Sequence, residues 1–172
     1  MSLANYRDFR DNVPEFSGLV ASQGIGANLV GGTEPLATGG QLVTGNYFQV
    51  LGVDAAGGRT FTPEEDATLG ASPVMVISAG LWKRAFGSDP AVVGRTVTLN
   101  GFKFRVVGIM PAEFKGLQTL GNVDFWVPLA MHEQLVTGET ARTFYTARNS
   151  LVFQVVGRLQ RGVTLARARE SM

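Results

Sequence analysis

Few side chains in this sequence are equipped for chemistry. His132 is the sole histidine, cysteine is absent, and the densest acidic run is Glu64-Glu65-Asp66. A histidine with Asp124 and a serine would make an acid–base relay. That chemistry needs an exposed nucleophile on a strand-to-helix elbow, and no G-x-S-x-G occurs. Ser78, in Ile77-Ser78-Ala79-Gly80, reads instead as a helix cap. His132 is accordingly expected at the surface, at a strand end. A metal centre lacks donors: one His, no Cys and no D-x-D-x-D-G loop. The acids at 64–66 are explained by the positive end of a helix dipole. Any two of the 14 acids could in principle meet as a glycosidase pair, but nothing selects one. The glycine runs "GIGANLVGG" and "GVDAAGG" resemble phosphate cradles in their glycines alone, since no Lys-Ser/Thr and no long helix follows. No catalytic, cofactor-binding or metal-binding residue is therefore expected.

Composition narrows the class further. With 172 residues, 45% hydrophobic and 17% charged, the chain has material for one domain with a real core. Fifteen basic against 14 acidic residues give a net charge of +1, too little field to gather nucleic acid. Arg158, Arg161, Arg167 and Arg169 read as a solvated helix face. Lack of cysteine excludes disulfides, thiolate zinc and cysteine nucleophiles. No apolar run reaches the roughly 18–20 residues that span a bilayer, and the first residues hold no signal-peptide core. A helix capped by Thr164 stops two turns later, as expected of a piece cut from a longer chain.

The elements that must position these residues are legible in places. Leu3, Tyr6 and Phe9/Arg10 at helical spacing predict a short first helix. Leu19, Val20, Leu29 and Val30, then Leu42 and Val43, predict two strands around a turn at Gly31–Pro35. Gly45–Leu51 predicts two helical turns with Tyr47, Phe48 and Leu51 inward and Gly52 just past the end. Thr62, Pro63 and Glu65 form a capping box. Val74–Ile77 reads as a buried strand, and Ser78 begins a helix with Leu81, Trp82, Ala85 and Phe86 on one face. Asn100-Gly101 is the pair a two-residue type I′ turn favours, so residues 95–107 predict a β-hairpin. Its register puts Leu99 opposite Phe102 and Val97 opposite Phe104 on the apolar side, with Thr98/Lys103 and Thr96/Arg105 on the wet side. Residues 123–131 predict a strand with Pro128 at an edge or at its end. Residues 132–149 predict an exposed loop, and 150–160 a last strand. The irregular order of strands and helices points to α+β.

Four segments in order resemble a known family. They are "YRDFRDNVPEFSGLVA", "VTGNYFQVLGVDAAGGRTFTPEED", "PVMVISAGLWKRAFGSDPAVVGRTVTLNGFKFRVVGIMP" and "VDFWVPL" followed by "VVGRLQRGVTLARARE". Together they are similar to the periplasmic core domain of MacB-type, FtsX-like ABC transporter permeases, over nearly the whole chain. The resemblance implies a domain looped out between two transmembrane helices of the same chain. A porter-like part of βαβ-type units, residues 1–58 and 147–172, would carry an inserted β-rich part, residues 59–146. It also implies no catalytic residue and no cofactor in this domain, ATP being hydrolysed by a separate cytoplasmic unit. A periplasmic adaptor and a twin permease are implied partners, and the bacterial inner membrane the location. On that mapping Gly45, Gly52, Gly57 and Gly58 form a structural junction or hinge, beside the hairpin turn already read at Asn100 and Gly101. The competing expectations are a stand-alone hydrolase or carbohydrate-active domain using His132 or an unrecognised carboxylate pair, and a soluble ligand-binding domain.

Overall fold

The computed structural model describes every residue except 118–121, 139–143, 145–147, 149–151 and 172. Helix α1 (Leu3–Asn12) begins where the Ser2 hydroxyl accepts the Asn5 N–H at 3.1 Å, and it buries Leu3 and Tyr6. Strand β1 (Phe16–Val30) is 15 residues long, about 50 Å of extended chain. One of its edges pairs antiparallel with β2 (Leu36–Val43), from Ser22↔Val43 to Leu29↔Leu36. The other edge pairs first with β8 (Gln154–Leu159) and then, at Leu29 and Val30, with β5 (Thr96–Leu99).

From β2 the ladder continues through β7 (Phe125–Pro128, parallel), β4 (Val74–Ile77, antiparallel), β6 (Phe102–Ile109, parallel) and β5 (antiparallel), which returns to β1. Six strands thus close into a ring, with β8 appended to β1 and the two-residue β3 (Gly57–Gly58) appended to β6. Every strand of the ring sends residues inward: Leu29, Leu42, Met75 and Ile77, Val97 and Leu99, Phe104 and Val106, Phe125 and Val127 share one buried cluster. Residues of opposite parity, Val20, Val43, Val76, Val107 and Trp126, share a second cluster on the outer flank. Strands β4 and β7 are buried at every position, which is why "VMVI" and "FWVP" show no alternation. Helix α3 (Ala79–Phe86), capped by Ser78 and ended by Gly87 in the left-handed conformation, adds Leu81, Ala85 and Phe86 to the inner cluster.

The hairpin has the expected register, Leu99↔Phe102 through Thr96↔Arg105, and Asn100 (φ 48°) and Gly101 (φ 88°) both lie in the left-handed region its turn requires. Phe102 corrects the expectation of an apolar pair at its tip, being 47% exposed while Leu99 is fully buried. Leu29 of β1 covers Leu99, but β4 joins β6 only from Arg105 onward, so it does not reach Phe102 on the side away from β5. Pro128 ends β7, which is an interior strand between β2 and β4. Trp82, expected in the core, is half-buried and donates its indole N–H to the Asp89 carbonyl at 2.8 Å. Strands assigned by the resemblance to two parts share one sheet: β1 and β2 hydrogen-bond to β5 and β7, and residue 58 lies in the β3–β6 ladder.

Asn100 does more than turn the chain. Its side-chain oxygen accepts the Asn28 N–H at 2.9 Å, and its own N–H donates to the Asn28 carbonyl at 3.1 Å, beside the two-residue β1–β5 pairing that closes the ring. Asn100→Gly keeps the turn geometry and removes the side-chain bond. We expect it to lower the unfolding free energy by about 1–2 kcal/mol, measured by urea denaturation. An unchanged midpoint would show that the ring closes without this seam.

Candidate functional site

The glycine-rich stretch 43–61 is the most irregular part of the chain, and its geometry is set by close packing. Helix α2 (Tyr47–Leu51) buries Tyr47 and Phe48 completely, while Leu51, expected inward as well, is half-exposed at the margin of the outer cluster. Phe48 meets Tyr47, Phe61 and Trp126 edge-on at ring separations of 5.3, 5.2 and 6.0 Å. The Tyr47 hydroxyl donates to Gln41 Oε1 at 3.4 Å and accepts the Leu117 N–H at 3.2 Å. Burial pushes its pKa up to about 12. Gly52 ends the helix at φ 70°, where the Arg158 guanidinium donates to the Val50 carbonyl at 2.8 Å. A cation is favoured there because the last helical carbonyls carry partial negative charge.

Of the four glycines expected at a junction, Gly57 and Gly58 pair with Ile109 and Gly108 of β6. Gly45 sits under the following turn so closely that a Cβ would lie 2.7 Å from both Pro63 Cα and Asp66 Cβ. That contact exposes what the reading of Glu64-Glu65-Asp66 as a dipole-compensating trio missed. Glu65 forms two 2.8 Å bonds with Arg59 and accepts the Thr62 N–H at 3.0 Å. Asp66 turns inward: Oδ2 accepts the Gly45 N–H at 2.9 Å and Oδ1 accepts the Ala130 N–H at 2.6 Å. It thereby joins three segments distant in sequence. Burial raises its pKa to about 6, outweighing these hydrogen bonds and the nearby Arg7 charge. A 460 Å³ cleft opens beside it, walled on the other side by α1. In the sequence the one hint was Asp66's position one turn after the Thr62 cap, where an acid has less reason to sit than at Glu64 or Glu65.

His132 is a correction. It is fully buried at the start of a short helix α4 (His132–Leu135), its ring stacked on Phe144 at 3.4 Å. Burial lowers its pKa to about 4, so it is neutral at physiological pH. The 132–149 loop expectation therefore fails over α4; residues 139–143, 145–147 and 149 lie outside the described residues. Asp124, the other half of the relay considered above, is engaged by Arg84 at 2.9 Å. Among the described residues no three His, Cys, Asp or Glu side chains gather as a metal site, and no helix is long and apolar enough to cross a membrane.

A closed mixed sheet, an aromatic flank packed on a short helix and a polar cleft at a three-way junction define an α+β scaffold domain. The chain belongs to the MacB-like periplasmic core domain family, whose model matches residues 1–172. It is 26% identical over 106 residues to the macrolide export ATP-binding/permease protein MacB of Shigella dysenteriae serotype 1 (strain Sd197), covering 62% of this chain and 16% of that protein. Its fold is similar to the periplasmic region of MacB from Actinobacillus actinomycetemcomitans, with a TM-score of 0.76 and 17% identity over 99% of this chain and 70% of the other. It is also similar to the extracellular domain of the noncanonic ABC-type transporter YknZ from Gram-positive bacteria, with a TM-score of 0.69 and 16% identity over 99% of this chain and 78% of that one. The α+β class and the family resemblance read from the sequence both hold.

Proposed function

We propose that this chain is the extracytoplasmic core of an inner-membrane ABC-type efflux permease and relays motion without chemistry of its own. Family membership supports the setting. One structural observation carries the relay: the segments that enter and leave the sheet lie side by side. Phe16, at the start of β1, pairs with Leu159, at the end of β8, and the Gln160 N–H donates to the Glu15 carbonyl at 2.8 Å. Beyond β8, helix α5 (Leu165–Glu170) brings Arg167 to 3.9 Å from Glu15. A displacement of either flank is thus delivered to the long strand β1, which touches β2, β5 and β8 at once. Residues 1–58 with 147–172, and 59–146, are the two parts that would share this motion, with Gly45, Gly52, Gly57 and Gly58 as the structural junction between them. ATP would be bound and hydrolysed by a cytoplasmic unit, with transmembrane helices of the same chain, a periplasmic adaptor and a twin permease as partners.

The test is the parent permease with this domain replaced by a short flexible linker, assayed for transport and ATP hydrolysis separately. Transport should be lost while the ATPase continues to turn over. Transport that survives the replacement would refute the relay.

A further inference from the structure

The cleft between α1 and the turn Pro63–Asp66 has walls of opposite charge that do not meet. Its volume of about 460 Å³ suits a small molecule. Arg7 and Arg10 both line it and stand three residues apart on α1, so their guanidinium groups address one region. Arg10 spends two donors on Asp11, at 2.7 and 3.1 Å, whereas Arg7 is exposed and forms no salt bridge among the described residues. Asp66 lies across the gap, its carboxylate aimed by the Gly45 and Ala130 N–H groups. The Leu129 N–H also reaches this carboxylate, and with about four acceptor positions the three backbone donors leave capacity for one more. The Tyr6 hydroxyl and the Asn46 amide are already spent on the Leu19 carbonyl, at 2.9 and 3.0 Å.

We infer that this cleft binds a small zwitterion, an amino-acid-like molecule whose anionic group lies on Arg7 and Arg10 and whose ammonium donates to Asp66. A simple anion would be repelled by Asp66 and a simple cation by the two arginines, so a ligand with both poles is selected. The titratable groups facing Asp66 are Tyr6, Arg7 and Arg10 on α1, with Asp11 behind Arg10. On its own turn Glu64 is exposed and Glu65 is held by Arg59, while the Thr44–Asn46 and Leu129–Met131 segments contribute none. Asp66 is therefore the group whose charge changes in mild acid, and the ammonium contact weakens as pH falls through about 6. The inference rests on the cleft and is independent of the transport reading.

The test is an NMR titration of the 172-residue chain with L-serine and with β-alanine, against acetate and methylammonium as single-pole controls. Saturable shifts should cluster at residues 3–10, 44–46 and 66–67, with a zwitterion binding at least about tenfold more tightly than either control. Arg7→Ala should weaken binding about tenfold with an unchanged melting temperature, because the side chain is exposed. Affinity should also fall about tenfold between about pH 7.5 and pH 5. The proposal is overturned by the absence of saturable shifts up to about 50 mM of either zwitterion, by acetate binding as tightly, or by an Arg7→Ala variant that binds as before.

Discussion

Trp126→Ala is expected to remove about 4 kcal/mol of stability, the largest loss from any single truncation of the outer flank. Trp126 has no exposed surface, and its ring lies 6.0 Å from Phe48 and 5.3 Å from Phe114. Its indole N–H donates to Gln41 Oε1 at 3.0 Å, the same oxygen the Tyr47 hydroxyl reaches. Alanine would open a cavity between strand β7 and helix α2 and leave the buried Gln41 oxygen with one long contact. At roughly 2–4 °C per kcal/mol for a domain of this size, the melting temperature should fall by about 10 °C. Trp126→Phe separates the two causes, since it keeps most of the ring volume and loses the hydrogen bond, for about 2 kcal/mol. Both are measured by urea denaturation followed by circular dichroism. A Trp126→Ala cost below about 1 kcal/mol would mean that the flank collapses to fill the gap and that α2 is not held by it.

What the sequence disclosed divides by range. Caps and turns are local, so Ser2 apart, the grammar of Ser78, Thr164, Gly52 and Asn100-Gly101 was readable from two to four neighbouring residues. The hairpin register followed from its turn. The ring closure did not, because it rests on Asn100 meeting Asn28, 72 residues away, and nothing local marks Asn28 as its partner. Asp66 was hidden for a related reason. Its neighbours Glu64 and Glu65 fit a helix start, and its own partners, Gly45 and Ala130, lie 21 and 64 residues away. His132 misled because a lone histidine beside polar residues resembles a solvated strand end. Phe144, whose ring stacks on it, stands in a segment without periodicity. The family was legible only because four segments kept their order, a constraint no single motif carries.

The contributions of Asp66 and His132 to stability should oppose each other and nearly cancel between about pH 6.5 and pH 4. Asp66 is raised from 3.8 to about 6 in the fold. The native state therefore binds the extra proton, and this contribution is complete below the unfolded value near 4 and lost as pH rises through about 6. His132 is lowered from 6.5 to about 4. Here the unfolded chain binds the extra proton, so stability is complete above about 6.5 and is lost as pH falls toward 4. Each shift is about two pKa units, or about 3 kcal/mol, and the two run in opposite directions over the same interval. Single variants uncover them. His132→Leu, which keeps an apolar side chain in the same pocket, should become about 3 kcal/mol more stable at about pH 4 than at about pH 7. Asp66→Asn, which keeps an acceptor for one backbone amide, should become less stable by a similar amount over the same range. The check is urea denaturation of the three proteins at several pH values in one buffer series, compared as slopes so that the fixed cost of each substitution drops out. Parallel slopes for wild type and both variants would mean that neither group changes its proton affinity on folding. If only the His132→Leu slope matched the wild type, histidine burial would be relieved in solution and Asp66 would stand alone as the acid-responsive group.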